Sequence, residues 1–387
     1  MREVRPPPST HAGAATGSTW AQERRSTHFR WSGGTHRVSG THEQRIGLVQ
    51  TADELIKRVF VLIDGPPSQD PPCTSAALGA HSPIGCSAAD NPQEQPGYME
   101  GPTSHTYFSQ RLRLHYVDWG NEAAPPMLMV HGGRDHCRNW DWVAQEFRDD
   151  YHIIAPDLRG HGDSQWAVGS SYHHVDYVYD IAHLIHQKRM NPVTIVAHSM
   201  GGGVSLTYAG LYPETVAKLV VIEGVGPPPE MVAEWADAPI HERLDTWVQD
   251  LRTSSGRLPR RYATLEEALE RMQTENPHLT EERARHLTIH GSNQNEDGTF
   301  SWKFDNYVRT FSPVRLPLDA QHALWSRISC PTLLVRGSES WASDPATDGR
   351  ADHFQDAQVV NIDGAGHWAH HDQLDEFLTI TRRFLAD

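Results

Sequence analysis

The chain has 387 residues, room for one large domain or two ordinary ones. Only 38% of them are hydrophobic, diluted by 30 glycines and 26 prolines, which points to a poorly structured portion. The net charge of −15 argues against nucleic acid or an anionic membrane surface as partner; four cysteines without CxxC spacing argue against a disulfide scaffold or a zinc–cysteine site.

Residues 1–98 differ in texture from the rest. They hold Pro6-Pro7-Pro8, two further Pro-Pro pairs and glycine- or serine-rich pieces, with no sustained hydrophobic period. Their acidic and basic residues cancel, so the remainder carries the whole negative charge. The composition predicts a disordered N-terminal extension, with the folded part starting near Met99. No apolar run is long enough to span a bilayer and no signal peptide opens the chain. With the unpaired cysteines, this predicts a cytoplasmic protein.

From Ser104 the pattern becomes regular. Residues 105–110 and 111–119 alternate and predict a hairpin. Residues 127–131 read as a buried strand, 141–149 as a short amphipathic helix and 151–156 as a strand. Apolar or aromatic positions 175, 178, 181, 182 and 185 predict a helix over 175–187. Further strands are expected at 193–197, 218–222, 332–335 and 359–362, and a closing helix at about 372–385. Strands alternating with helices predict an α/β fold, a mostly parallel sheet with helices on both faces. Between Gly226 and about Pro317 the alternation stops. Helices are expected at 231–236, 241–252, 265–274 and 280–287, forming a helical lid over the sheet edge where open α/β sheets bind ligands. The expected division is therefore a core in two parts, 99–226 and 318–387, interrupted by a lid at 227–317.

The strand at 193–197 runs into Ala197-His198-Ser199-Met200-Gly201. A β-branched run, a serine between small residues and a following helix form a nucleophile elbow, which exposes the serine hydroxyl on a strained turn. A serine needs a base to take its proton. His367, in Gly364-Ala-Gly-His-Trp368 between the last strand and last helix, is the candidate. The oxyanion needs preorganised N–H donors. The candidates are Met200, after the nucleophile, and Gly133 in the loop after the 127–131 strand, with Arg134 as second choice. Arg134 and Arg138 can bind a substrate carboxylate, and His198, Trp341 and Trp368 are further candidates for lining the substrate. No HxHxDH or HExxH spacing is present, so no metal is expected, nor any organic cofactor.

Four ordered motifs, His131-Gly132-Gly133, residues 157–164 (Asp157 to Ser164), Ala197 to Gly201 and Gly364 to His367, resemble the α/β-hydrolase superfamily over residues 104–387. The likeness is strongest to its capped serine carboxylesterase and carbon–carbon hydrolase branch. The resemblance implies a Ser-His-acid triad. Ser199 sets the chain apart from the related dehalogenases and epoxide hydrolases, whose nucleophile is an aspartate; the cofactor-free haloperoxidases share the serine triad. The family's usual acid position falls in the loop after the 332–335 strand, yet Ser340 and Trp341 stand there. Glu223, after the preceding strand, is the first candidate for the acid; Glu339 is the alternative, and Asp344 a weaker one. The expected activity is hydrolysis of a small carboxylic ester, lactone or thioester through an acyl-enzyme. The alternatives are C–C bond hydrolysis of a diketo acid and a catalytically silent binding protein. The partner expected is a small-molecule substrate; oligomeric state is not legible.

Overall fold

In a computed structural model, residues 101–387 are described, apart from 170, 171, 256 and 311. The expected disordered extension, 1–98, lies outside the described residues. The first strands, β1 (Thr103–Ser109) and β2 (Leu112–Asp118), pair antiparallel. Gln110 and Arg111 join them, both at positive φ (47° and 71°), as a two-residue hairpin turn matching the strand twist requires. Then come β3 (Pro126–Val130), α1 (Asp141–Phe147), β4 (His152–Pro156), α2 (His174–Lys188), β5 (Val193–His198), α3 (Ser199–Leu211) and β6 (Val216–Ile222). The intervening region holds α4 (Pro229–Asp237), α5 (Ile240–Ser255), α6 (Leu265–Glu275), α7 (Glu281–Gly291), β7 (Ser292–Gln294) and β8 (Phe300–Trp302). The chain closes with α8 (Leu318–Trp325), β9 (Thr332–Gly337), β10 (Ala357–Ile362), α9 (Ala369–Asp372) and α10 (Leu374–Ala386).

Among the described residues the main sheet runs β1-β2-β4-β3-β5-β6-β9-β10. Only β2 is antiparallel to its neighbours on both sides; β4 through β10 pair in parallel. The central strands are buried on both faces, so they read as continuous apolar runs. Their side chains alternate between two cores. Leu128, Val130, Ile195, Ala197, Leu219 and Val221 pack on one face with residues of α2, α3 and α8. Met127, Met129, Val196, Val220 and Ile222 pack on the other with α1 and α10.

The region 227–317 is not helical throughout. Ser292–Gln294 and Phe300–Trp302 form a small antiparallel hairpin. Its strands are three residues each, Ser-Asn-Gln and Phe-Ser-Trp, too short for a period to be read. The turn carries the signal instead: the Asn295 N–H donates to the Thr299 carbonyl (2.7 Å), and Gly298 adopts φ +83°. Four residues of α6, α7 and their connection, Leu269, Leu279, Ala284 and Leu287, form a separate apolar cluster that Trp368 packs against. By contrast α4 and α5 contribute no buried residue.

Candidate active site

Ser199 sits where β5 turns into α3, with φ +51°. The small flanking residues follow from contact. A Cβ on Gly201 would lie 2.4 Å from the His131 carbonyl oxygen and 2.6 Å from that of Val130, too close for any side chain. Gly202 meets the Gly224 backbone in the same way, at 2.7 Å. The helix therefore begins at Ser199 itself, earlier than its apolar content suggests, because glycines let it rest directly on the ends of β3 and β6.

His367 comes to Ser199 from the loop between β10 and α9. Its Nε2 lies 2.9 Å from the Ser199 Oγ, and its Nδ1 lies 3.4 Å from Glu223 Oε2, at ion-pair distance without full hydrogen-bond alignment. Glu223 follows β6 with φ +54° and is buried. Burying a carboxylate is costly unless it is well bonded, and here the loop after β9 supplies the bonds. The Gly337 N–H donates to Oε1 and the Ser340 hydroxyl to Oε2, each at 2.8 Å. Ser340 thus stands in the usual acid position and serves as a donor to the carboxylate on the neighbouring strand. Sequence reasoning noted Ser340 only as an empty position; the missing carboxylate was itself the signal.

The other acids are placed elsewhere. Glu339 does not reach His367: its side chain is 59% exposed, with His278 Nε2 at 3.7 Å. The chain turns at this point, so that adjacent residues face opposite ways. Asp344 accepts from the Ala346 N–H and the Asn361 amide, a turn-forming role.

The loop after β3 lies beside the elbow. A Cβ on Gly132 would fall 3.2 Å from Ser199 Cβ, and one on Gly133 would fall 4.0 Å from Met200 Cβ. The Gly133 N–H has no acceptor among the described residues, and the Met200 N–H lies in the first turn of α3, where helix amides lack internal partners and form the positive end of the dipole. Arg134 is exposed, with φ +65°. His131 steadies this loop. Its Nδ1 lies 2.6 Å from the Gly132 carbonyl, and its Nε2 accepts from the Leu158 N–H at 3.0 Å. Burial lowers its pKa to about 4, so it stays neutral.

Two of the expected substrate contacts, Arg138 and His198, are engaged by protein partners. Arg138 lies on Asp141, its Nε 2.8 and 2.9 Å from the two carboxylate oxygens and Nη2 2.6 Å from one, so it is a salt-bridged loop residue. His198 is buried behind the site, where its Nε2–H donates to the His367 carbonyl at 2.9 Å. Burial, then the nearby His367, pushes its pKa well below the ordinary value. It therefore holds the histidine loop rather than facing a ligand. Trp341 is exposed with its ring 5.4 Å from that of His367, and Trp368 borders a cavity of about 290 Å³, part of it open to solvent. Arg134 and Trp368, chain neighbours of Gly133 and His367, form two of its walls, with Phe304, Trp302 and Lys303 opposite from the β7–β8 region. Ser199 is not among the wall residues.

Residues 157–164 are structural. Burial raises the Asp157 pKa, but the hydrogen bond from His115, the neighbouring His115 and His131 rings and the Asp163 N–H outweigh this and hold it below the ordinary range. It also accepts from the Cys137 N–H at 2.7 Å. A Cβ on Gly162 would land 2.1 Å from the Asp157 Cγ. Arg159 clasps buried Asp180 at 2.6 and 2.7 Å. Two groups of metal-capable side chains occur among the described residues, His115-Cys137-Asp157 and Asp141-His286-His290. In each the carboxylate is already engaged, by backbone amides and His115 in the first and by Arg138 in the second.

Comparison with known proteins adds the following. The family described as alpha/beta hydrolase fold matches residues 125–374. An esterase of Mycobacterium tuberculosis is 26% identical, over 76% of this chain and 92% of the esterase. An epoxide hydrolase of Caenorhabditis elegans is 24% identical, over 76% of this chain and 72% of that protein. The solved structure of E-2-(acetamidomethylene)succinate hydrolase superposes with TM-score 0.60 at 23% identity, covering 74% of this chain and all of that one. No helix among the described residues is long and apolar enough to cross a membrane.

Proposed function

This chain belongs to the alpha/beta hydrolase fold family, and from that premise we propose that it is a serine hydrolase of small carboxylic esters, lactones or thioesters. The observation that carries the reading is the line Ser199 Oγ, His367 Nε2 at 2.9 Å, His367 Nδ1 and Glu223 Oε2 at 3.4 Å. With the Nδ1 proton facing Glu223, Nε2 accepts the Ser199 hydroxyl proton as Oγ attacks the carbonyl carbon. The carbonyl oxygen gains negative charge beside the Met200 and Gly133 N–H groups. His367 then returns the proton to the leaving oxygen or sulfur. Water, activated by the same nitrogen, releases the acid from Ser199. Glu223 orients the imidazole. Its two external donors, Gly337 N–H and Ser340 Oγ–H, keep the carboxylate fixed as the charge on His367 comes and goes.

A serine nucleophile favours an acyl-enzyme over the epoxide chemistry named for one relative. The esterase relative supports the same direction. A fluorophosphonate probe tests the proposal: mass spectrometry should find it on Ser199, with 4-nitrophenyl acetate hydrolysis abolished in parallel. Labelling elsewhere, or ester hydrolysis surviving in Ser199→Ala, would end it.

A further inference from the structure

Among the described residues, the acidic chain leaves two cations without an ion pair beside the cavity that Arg134 and Phe304 line. Arg134, the residue after Gly133, forms a wall of the 290 Å³ cavity and makes no ion pair or hydrogen bond among the described residues. Arg309 stacks on Phe304, another wall of the same cavity, with its guanidinium carbon 5.2 Å from the ring centroid. It too has no ion pair or hydrogen bond among the described residues. Carboxylates are not scarce, since the chain holds 49 acidic residues against 34 basic ones. Those nearby are committed elsewhere. Lys303, a third basic wall residue, is bound to Asp163 at 2.9 Å. Glu275 is bound to Arg271. Asp135 is buried and accepts from the His136 N–H and the Asn139 amide rather than from its chain neighbour Arg134.

Like charges crowd only where something holds them or where a counter-ion arrives. Burial first, and Arg134 second, push the Arg309 guanidinium below its ordinary pKa, with Glu275 opposing them. Arg134 also keeps a left-handed backbone, φ +65°, a conformation costly for a side chain with a Cβ and easy for glycine. A glycine there would complete the loop without strain, yet the chain carries an arginine, which points to a use for its side chain.

We propose that Arg134 and Arg309 form an anion subsite that binds a carboxylate on the substrate, a short chain away from the scissile carbonyl. Resting on the serine-hydrolase reading, this narrows the substrate class to esters or thioesters of dicarboxylic acids, or of alcohols and thiols that bear a carboxylate. Guanidinium is suited to this because its planar fork matches a carboxylate with two parallel hydrogen bonds. Phe304, Trp302 and Trp368 provide apolar walls for the connecting methylenes.

The test compares two substrates of equal length, 4-nitrophenyl hydrogen adipate and its neutral methyl ester. The expected result is that the wild type prefers the anion in kcat/KM by roughly tenfold, the worth of one good charge-assisted contact. The preference should shrink severalfold in both Arg134→Gln and Arg309→Gln, and should fall with added salt. Losses common to both substrates, from altered folding or chemistry, cancel in the ratio. The two variants lie on different segments, so one that fails to fold leaves the other to decide. A ratio that stays the same in both variants overturns the subsite. Failure of the hydrolase reading has a different signature: neither ester is turned over. In that case calorimetric binding of adipate to the full chain still decides, with loss of binding in the two variants supporting the subsite and no binding to the wild type overturning it.

Discussion

The ends of β6 and β9 lie side by side, with Ile222 opposite Val335, and the Glu223 N–H continues the ladder to the Val335 carbonyl at 2.9 Å. From there they diverge. The β6 end turns sharply through a left-handed residue and delivers a buried carboxylate to His367. The β9 end delivers no carboxylate to His367, only an N–H and a hydroxyl that hold the other strand's acid. What matters to the imidazole is a fixed negative charge at Nδ1, and adjacent parallel strands are only about 4.8 Å apart. A glutamate one strand over, one methylene longer than aspartate, spans that offset. The donors fit this placement: a carboxylate buried at the end of β6 is cut off from water, and the Gly337 N–H and Ser340 hydroxyl replace it.

The largest expected effect comes from removing what both strand ends serve. Ser199→Ala should cost on the order of 10⁶ in kcat, by analogy with established Ser-His-acid enzymes, with the circular dichroism spectrum unchanged. Next is the exchange itself. In Glu223→Gln combined with Ser340→Asp, the acid returns to the β9 loop, and kcat should recover at least about tenfold over Glu223→Gln alone if strand ends are interchangeable. No recovery would mean that the β6 position is required for a reason other than charge. Ser340→Ala should be milder, a drop in kcat of about tenfold or less with KM unchanged, since Gly337 still holds the other oxygen.

These loops divide sharply in how far the sequence discloses them. The elbow, the histidine loop and the apolar strands are local patterns, a run of side chains whose spacing already implies the turn or period. The role of Ser340 is not local: it depends on β6 and β9 being neighbours, and no spacing within either segment records that. The β7–β8 hairpin is hidden for another reason, its strands being only three residues each. His198 and Arg138 were legible as polar residues near the site, but their partners, the His367 carbonyl and Asp141, are what turn them from ligand contacts into supports.

A third buried carboxylate sharpens the contrast and carries the smallest expected effect, on stability alone. Burial raises Asp135 to about pH 7, opposite in direction to Asp157, where hydrogen bonds and neighbouring charge outweigh burial. A raised folded pKa means that this group favours the fold below its unfolded value, near 4, and that this contribution is lost as pH rises through about 7. Asp135→Asn should therefore flatten the decline in Tm between pH 5 and pH 8 relative to the wild type; parallel curves would show that Asp135 does not titrate in that window.

The central claim is that Glu223, and not the carboxylate in the usual loop, steadies His367. It is tested most directly by measuring kcat/KM for one ester in Glu223→Gln and Glu339→Gln side by side. The account predicts a loss of about 10³ to 10⁴ for the first, the scale seen when a triad acid is neutralised, and a change of less than about twofold for the exposed Glu339, as for an ordinary surface position. A large loss in Glu339→Gln with Glu223→Gln near the wild type would contradict it.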